Sequence, residues 1–503
     1  MNLLTAAWIP IQDKGIYQKI TLQQLLCGEK EGNICLPRDD MELACLQLLS
    51  TTTQTLFTPE NKKALGSYVT QLLTPEVYQA AVQDKLDWFD LDHAETPFMQ
   101  FRGVKSTAAT PMNKLMAGVA DGTNKTFVNP QGLIEGLCHS CVAIALFNAA
   151  NNCPSMGGGF KGSLRGSTPI TLLIKGKTLR ETIWLNVLTE ETISQVMPWY
   201  ETTKEQLPNY LKPINKGDTV QASAIGLLRG LLWQPAYFEL LPVTADQQTC
   251  SCCGCKEFVY TGFNKEKFSY TIEGIWPHPL SSRIFTIKGG NKEEKFPSFT
   301  TKAPTWTHMS RLVLDEQTNK GGHQAAPVIQ QARTFIASAK MQLIVGGYRN
   351  NQATILERRH DLFSLAQGWT EHGGIIQQIL QNGLSYKQCL VNSLLTFKSG
   401  RKKSKIHEEI KGTGINLVQS GESSYYQQTE NLLHQTLAQI HFATPTDDLE
   451  ALQQQLKSIV KDLFDQATAP YRQEPKMLKA LAMARRSLHK SLKDLEPQGE
   501  ENE

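Results

Sequence analysis

Apolar and polar positions alternate along the first twenty residues. AAWIPIQ and IYQKITL are two period-two runs separated by Asp13, Lys14 and Gly15, which predicts a β-hairpin with its turn at those three residues. The period then lengthens. In LPRDDMELACLQLLSTTTQTLF, Met41, Leu43, Leu46, Leu48 and Leu49 form a helical stripe, and Asp39 or Asp40 stands where a capping side chain would start the helix. From about Thr168 to Ala303 the pattern shortens to β-branched and aromatic runs such as TPITLLIKG, KFSYTIEGIW and SRIFTIKGG, broken by Gly and Pro, so this stretch is predicted to be sheet. Beyond about Asp361 that signal disappears. QTENLLHQTLAQIHF, DDLEALQQQLKSIVKDLFDQA and PKMLKALAMARRSLHKSLKDL read as helices punctuated by Pro445, Pro470 and Pro475, with another helix or two between Asp361 and Phe397.

The expected fold is therefore α+β. A mixed domain with β-sheet over residues 1–360 precedes an all-α, four-helix-type bundle over 361–503, and the polar end after Glu496 is expected to fray.

Composition narrows the function. A chain of 503 residues with 40% hydrophobic content can bury a core in each of two or three domains, so disorder is not the default. Lys and Arg number 51 against 48 Asp and Glu, a net charge of +3, so any nucleic-acid contact must come from local clusters and not from overall charge. Met1 to Pro10 lacks the layout of a secretory signal, and no apolar run approaches the roughly 20 residues a membrane span needs. The expectation is a cytoplasmic protein without a membrane partner. In that compartment the eleven cysteines would not form a disulfide framework.

The cysteines cluster. Cys138-His139-Ser140-Cys141 is one C-x-x-C, and Cys250-Ser251-Cys252-Cys253-Gly254-Cys255 contains a second in either of two registers. Gly254 leaves room for backbone amides to turn toward the sulfurs, which favours Cys250 and Cys253 over Cys252 and Cys255. More than a hundred residues separate the two motifs, so the plain alternative is that Cys138 and Cys141 are buried helix residues leading into VAIALFNAA. Four thiolates would leave zinc no open position and make it structural, not hydrolytic.

Three segments suit nucleic acid. Met156 to Gly166 is a glycine-rich loop with Phe160, Lys161 and Arg165, which does not match the phosphate-loop pattern and could equally be a plain surface loop. Asn264-Lys265-Glu266-Lys267-Phe268 reads as a charged hairpin tip. Gly346-Gly347-Tyr348-Arg349-Asn350-Asn351-Gln352 is an unusually polar start to a helix, with amides that can pair with base edges. His360-Asp361 is the dipeptide that bridges metals in some phosphohydrolases, so a stand-alone metal-dependent nuclease is the alternative function, although no spaced partner set of ligands accompanies it and a helix-surface pair is the simpler reading. Basic groups at Arg401-Lys402-Lys403-Ser404-Lys405 and at Arg485, Arg486 and Lys490 are solvated surface or a track for single-stranded nucleic acid.

Several of these segments together, with LPRDDMELA, AETPFMQ, FVN, GLLWQPAYFEL, YTGFNKEKF, WPHP and GGYRNNQATILERRHD, resemble the large subunit of the type I-E CRISPR surveillance complex Cascade, the CasA family. The resemblance runs from residue 36 to 361. It implies a subunit without catalytic activity that binds the protospacer-adjacent motif of double-stranded DNA, starts strand separation for guide RNA pairing and helps recruit a helicase-nuclease. Its implied partners are the subunits of the guide RNA–protein complex, target DNA with its displaced strand, and that nuclease. Gly157, Gly158 and Gly159 would present backbone to the motif, and Lys267 would enter its minor groove. Asn350, Asn351 and Gln352 would form the strand-parting wedge. Phe127, Val128 and Asn129 would reach the guide and a neighbouring subunit, and Cys138, Cys141, Cys250 and Cys253 would hold structural zinc.

Overall fold

In the computed structural model the N-terminal alternation becomes strands β1 (Ile9–Asp13) and β2 (Ile16–Ile20), paired antiparallel from Ile9↔Ile20 to Asp13↔Ile16. Lys14 and Gly15 close the turn with φ of 48° and 84°, the two left-handed positions a tight hairpin needs. The described residues are 1–28, 32–119, 133–335, 339–352, 354–402 and 409–496. They form two compact units, one of Met1–Thr300, Arg311–Ile336 and Gln342–Leu362, the other of Thr301–Ser310, Ala337–Met341 and Phe363–Glu503.

Helix α1 (Asp39–Leu56) is the spine of the first unit and is buried on nearly all sides, not only along its apolar stripe. The polar run within it is tolerated because its hydroxyls bond back into the helix: Ser50, Thr52 and Thr55 donate to the carbonyls of Leu46, Leu48 and Thr51 at 2.8–2.9 Å. Arg38, not Asp39 or Asp40, occupies the N-cap. Both acids fall instead in the first helical turn, where their charge complements the helix dipole.

Strand β3 (Leu137–Cys138) runs into helix α2 (His139–Asn151), which packs on α1. Strand β4 (Thr171–Lys175) pairs with β8 (Met341–Asn351), whose other neighbour is β9 (Thr354–Leu365). A Cβ at Gly346 would stand 2.6 Å from Leu43 Cδ2 and 2.8 Å from the Arg359 carbonyl, so only glycine lets α1 seat this closely on β8. Strand β5 (Ala236–Leu240) turns Ala236, Phe238 and Leu240 inward, and two further strands, β6 (Val259–Tyr260) and β7 (Gly262–Lys267), follow. The middle of the chain does hold strands, as expected, but divided among sheets of two to four, and strand structure continues to Leu365.

The end of the chain is helical, completing the α+β class: α3 (Gly373–Ser399), α4 (Val418–Gln439), α5 (Pro445–Thr468) and α6 (Leu478–Lys493). α3 packs against the other three, and α4 against α5. Leu390, Leu433, Leu456, Val460 and Leu488 are among the core side chains. Tyr425 on α4 donates its hydroxyl to the Gly383 carbonyl of α3 at 2.7 Å. None of the described helices is long and apolar enough to cross a membrane.

Candidate functional site

Strand pairing brings together cysteines that the sequence holds apart. β3 and β6 are antiparallel, with Cys138 opposite Val259 and Leu137 opposite Tyr260. Gly136 permits the approach, since a Cβ there would meet Val259 Cγ2 at 2.6 Å. Ser251 fastens the second cysteine loop: its Oγ accepts from the amides of Glu135 and Gly136, and its own amide donates to the Gly136 carbonyl. Within that loop the Gly254 amide donates to the Cys250 carbonyl, with Gly254 at a φ of 76°. Cys138, Cys141, Cys250 and Cys253 consequently lie with all four Sγ atoms within 4.8 Å of one another.

The cluster is polarised. Cys250 Sγ accepts from the Cys138 amide at 3.3 Å, and hydrogen bonds from the Cys138, Cys141 and Cys253 thiols hold it far below the ordinary thiol range. The same sharing raises Cys141 and Cys253. Lys19 Nζ of β2 lies 3.6 Å from Cys138 Sγ and pairs with Glu257, and the buried Tyr17 hydroxyl faces Cys253 and Cys255. A positive charge at this position offsets the surplus negative charge of a tetrathiolate. Neither Lys19 nor Tyr17 was legible in the sequence, because only long-range folding places the first hairpin beside the cysteines. The four sulfurs suit a thiophilic cation, with Cys252 and Cys255 outside the group.

The glycine loop is left-handed at three successive residues: Gly157, Gly158 and Gly159 have φ of 75°, 54° and 87°. Gly158 has open space where a Cβ would be, whereas at Gly159 a Cβ would stand 3.3 Å from the Lys267 ammonium. Lys267 sits at the end of strand β7, opposite Ala236 of β5, and not at a hairpin tip as its polar surroundings suggested. The strand survives that polarity because it is paired on one side throughout and Phe268, just beyond it, is buried and stacked on Tyr237 with ring centroids 4.2 Å apart. Lys265 Nζ stands over the Phe160 ring at 5.2 Å, tying the strand to the loop.

Asn350 and Asn351 end strand β8 and Gln352 follows in the turn, so the segment from Gly346 is strand and not the start of a helix; only Gly346 lies opposite β4, and beyond it the strand runs on as one arm of the hairpin with β9. Asn351 and Gln352 are exposed, and Gln352 has a φ of 53° without being glycine. Asn350 is pinned: it accepts from Thr168 Oγ1 at 2.7 Å and donates to Ser167 Oγ and to the Gln352 carbonyl. Partial burial would raise the Glu357 carboxyl, but Arg359, two residues along the same strand, and Arg349, across the hairpin, both pair with it and hold it below the usual range.

Arg165, at the far end of the glycine loop, is buried among neutral groups. It donates to Thr171 Oγ1, Ser281 Oγ, the Asn151 carbonyl and Asn152 Oδ1 at 2.7–2.9 Å, and burial pulls its guanidinium down to about 9. It thereby locks the loop to the C-terminal end of α2. Phe127, Val128 and Asn129 lie outside the described residues, as do Lys403, Ser404 and Lys405.

A profile of the family described as CRISPR-associated protein Cse1 matches residues 2–463. The chain belongs to that family. Among solved structures, it superimposes on Cse1 from Thermobifida fusca with a TM-score of 0.74 at 16% identity, covering 98% of both chains. CasA (Cse1) from Thermus thermophilus gives 0.72 at 16%, covering 98% of this chain and 99% of the other. A chain of a CRISPR RNA-guided surveillance complex gives 0.70 at 16%, covering 97% and 99%. At these identities the likeness is one of fold, shared over nearly the whole length of each of these chains. His360 and Asp361 lie in strand β9, not on a helix surface, because TILERRHDLFSL continues the hairpin. Among the described residues the four cysteines are the one group of His, Cys, Asp or Glu side chains gathered closely enough to hold a metal ion.

Proposed function

We propose that this Cse1-family chain is the large, non-catalytic subunit of a cytoplasmic RNA-guided surveillance complex. It reads the protospacer-adjacent motif in double-stranded DNA, starts strand separation for guide pairing and helps recruit a helicase-nuclease. The observation that carries this reading is the juxtaposition of Lys267 with the left-handed glycine loop: a cation and a bare backbone share one surface, the pairing that a minor groove accepts. Gly157, Gly158 and Gly159 supply the backbone contact, and Lys267 enters the groove. The minor groove distinguishes base pairs poorly, so several related motifs should be accepted.

The exposed end of the β8–β9 hairpin supplies the wedge. Asn350 is held from Thr168 and Ser167, so Asn351 and Gln352 project from a fixed base. Opening a duplex costs about 1.4 kcal/mol per step and guide pairing returns a similar amount, so the wedge need only begin the exchange. Phe127, Val128 and Asn129 are assigned to the guide and a neighbouring subunit.

For the cysteine cluster we propose structural zinc. Zinc–thiolate bonds of about 2.3 Å in a tetrahedron place sulfurs about 3.8 Å apart; Cys138 and Cys253 Sγ are separated by 3.8 Å. Bound there, zinc would supply no open coordination position, and its effect would be to hold the second cysteine loop against β3 and the start of α2.

The test is target binding and strand opening by the assembled complex carrying Lys267→Ala or Gln352→Ala. We expect Lys267→Ala to lower affinity for motif-containing duplex and Gln352→Ala to slow opening with less effect on initial binding. Unchanged behaviour of both would reject the site assignment. Divalent-dependent cutting of duplex by the purified chain, lost in His360→Ala, would replace the subunit reading by a nuclease.

A further inference from the structure

A single buried chain of hydrogen bonds connects the glycine loop to the wedge hairpin. Arg165 Nη2 donates to Asn152 Oδ1 at 2.7 Å, and Asn152 Nδ2 donates to Asn148 Oδ1 at 2.9 Å. Asn148 Nδ2 donates to the Tyr348 hydroxyl at 2.7 Å, which in turn donates to Asp40 Oδ2 at 2.8 Å. Asp40 is further held by Arg38, whose guanidinium also reaches the Ala117 carbonyl. Every member from Arg165 to Asp40 is buried.

The chain has a direction. A guanidinium donates at one end, a carboxylate accepts at the other, and each group between accepts from the first side and donates to the second. Those end charges dictate how both amides are turned, and bonds aligned in this way polarise one another. Arg165, which has no carboxylate among its own hydrogen-bond partners, is thereby joined to one through three neutral side chains. The relay spans the loop arm, helix α2, strand β8 and helix α1.

We propose that this relay fixes the glycine loop and the wedge in register with each other on the DNA, with Tyr348 as its central positioning residue. The inference rests on the motif-reading role proposed above. Tyr348 lies three residues before Asn351 on β8, and Arg165 six residues after Gly159, so the relay holds both segments that would meet the motif and the first base pairs, and its last bond anchors them to Asp40 on α1. Displacing either segment would leave each intact but spoil their joint fit to one duplex.

Tyr348→Phe tests this in the assembled complex. The ring packs with Ala117, Cys153 and Ile355 and would stay in place, so the substitution removes the hydroxyl and little else. Two DNAs are compared, a fully paired target with the motif and the same target with the first base pairs beside the motif already unpaired. We expect opening of the paired target to fall roughly 2- to 30-fold, the range of coupling along a contiguous network, while binding of the pre-opened target is nearly unchanged. Equal losses on both DNAs, or none on either, would overturn the proposal. Should Tyr348→Phe not assemble, Asn148→Ser breaks the same bond from the helix side and is judged by the same outcomes. Lys267→Ala is run alongside. If it too has no effect the motif-reading role itself fails, whereas a loss there with no change in Tyr348→Phe rejects the relay alone.

Discussion

The Lys267 ammonium lies against Gly159 so closely that a Cβ on that glycine would stand 3.3 Å from Nζ. Loop and strand therefore meet at this glycine: a side chain there would push the lysine tip aside by a few tenths of an ångström.

Alanine at Gly158 and at Gly159 should separate backbone strain from this contact. Both positions have positive φ, so each substitution costs about 1–2 kcal/mol of left-handed strain. Only at Gly159 must the lysine also move. Target affinity of the assembled complex is expected to fall further in Gly159→Ala than in Gly158→Ala, by roughly twofold, which corresponds to about 0.4 kcal/mol. Indistinguishable affinities would show that the lysine does not depend on the loop.

Metal content offers a second check. Purified protein should carry one zinc per chain, lost in the double substitution Cys138→Ser with Cys141→Ser, and a strong chelator should lower the melting temperature by roughly 5 °C. Zinc retained by the double variant would remove the assignment.

The hairpin should weaken in acid. Glu357 is held below its ordinary range by Arg359 and Arg349 despite partial burial, so its ionised form is favoured in the folded state. A depressed carboxyl contributes stability above the unfolded value of about 4.3 and loses it as pH falls through the lower folded value. The pair is partly exposed, so Glu357→Gln should reduce the melting temperature at pH 7 by only roughly 1–3 °C. That difference should narrow as pH falls below about 4, and a gap that stays constant through the acid range in which the protein remains folded would contradict the linkage.

In the helical unit, Gly383→Ala sets two effects against each other. Alanine is favoured over glycine inside a helix by about 1 kcal/mol. The added Cβ would, however, stand 2.9 Å from Leu433 Cδ1 and 3.0 Å from the buried Trp306 ring, and forced repacking of that kind costs about 1–3 kcal/mol. Crowding wins on these magnitudes, so urea denaturation should show net destabilisation of about 1 kcal/mol; a stabilised variant would mean that α3 and α4 can separate at no cost.

What the sequence disclosed depended on how local the cause was. The first hairpin and the C-terminal helices were legible because turn chemistry and apolar period are set by neighbouring residues. The C-x-x-C at Cys138 and the glycine at 254 pointed to four sulfurs that the fold does bring together. Asn264 to Lys267 was misread because its strand is held by a partner distant in sequence, Ala236 to Leu240, and Gly346 to Gln352 because its amides and charges imitate a loop although it is one arm of the hairpin with β9. Arg165 and Tyr348 stayed hidden for a related reason: a polar residue becomes a buried relay member only when its partners arrive from other elements.

The short sheets of the first unit have one more consequence. Ladders of two to four strands protect few amides, whereas α1 and α2 are enclosed along almost their whole length. Hydrogen exchange in this unit should therefore be slowest in those two helices, while the hairpin tip and glycine loop exchange by small local openings. If that surface meets a duplex as proposed, it would adjust by such local openings around an interior that does not move.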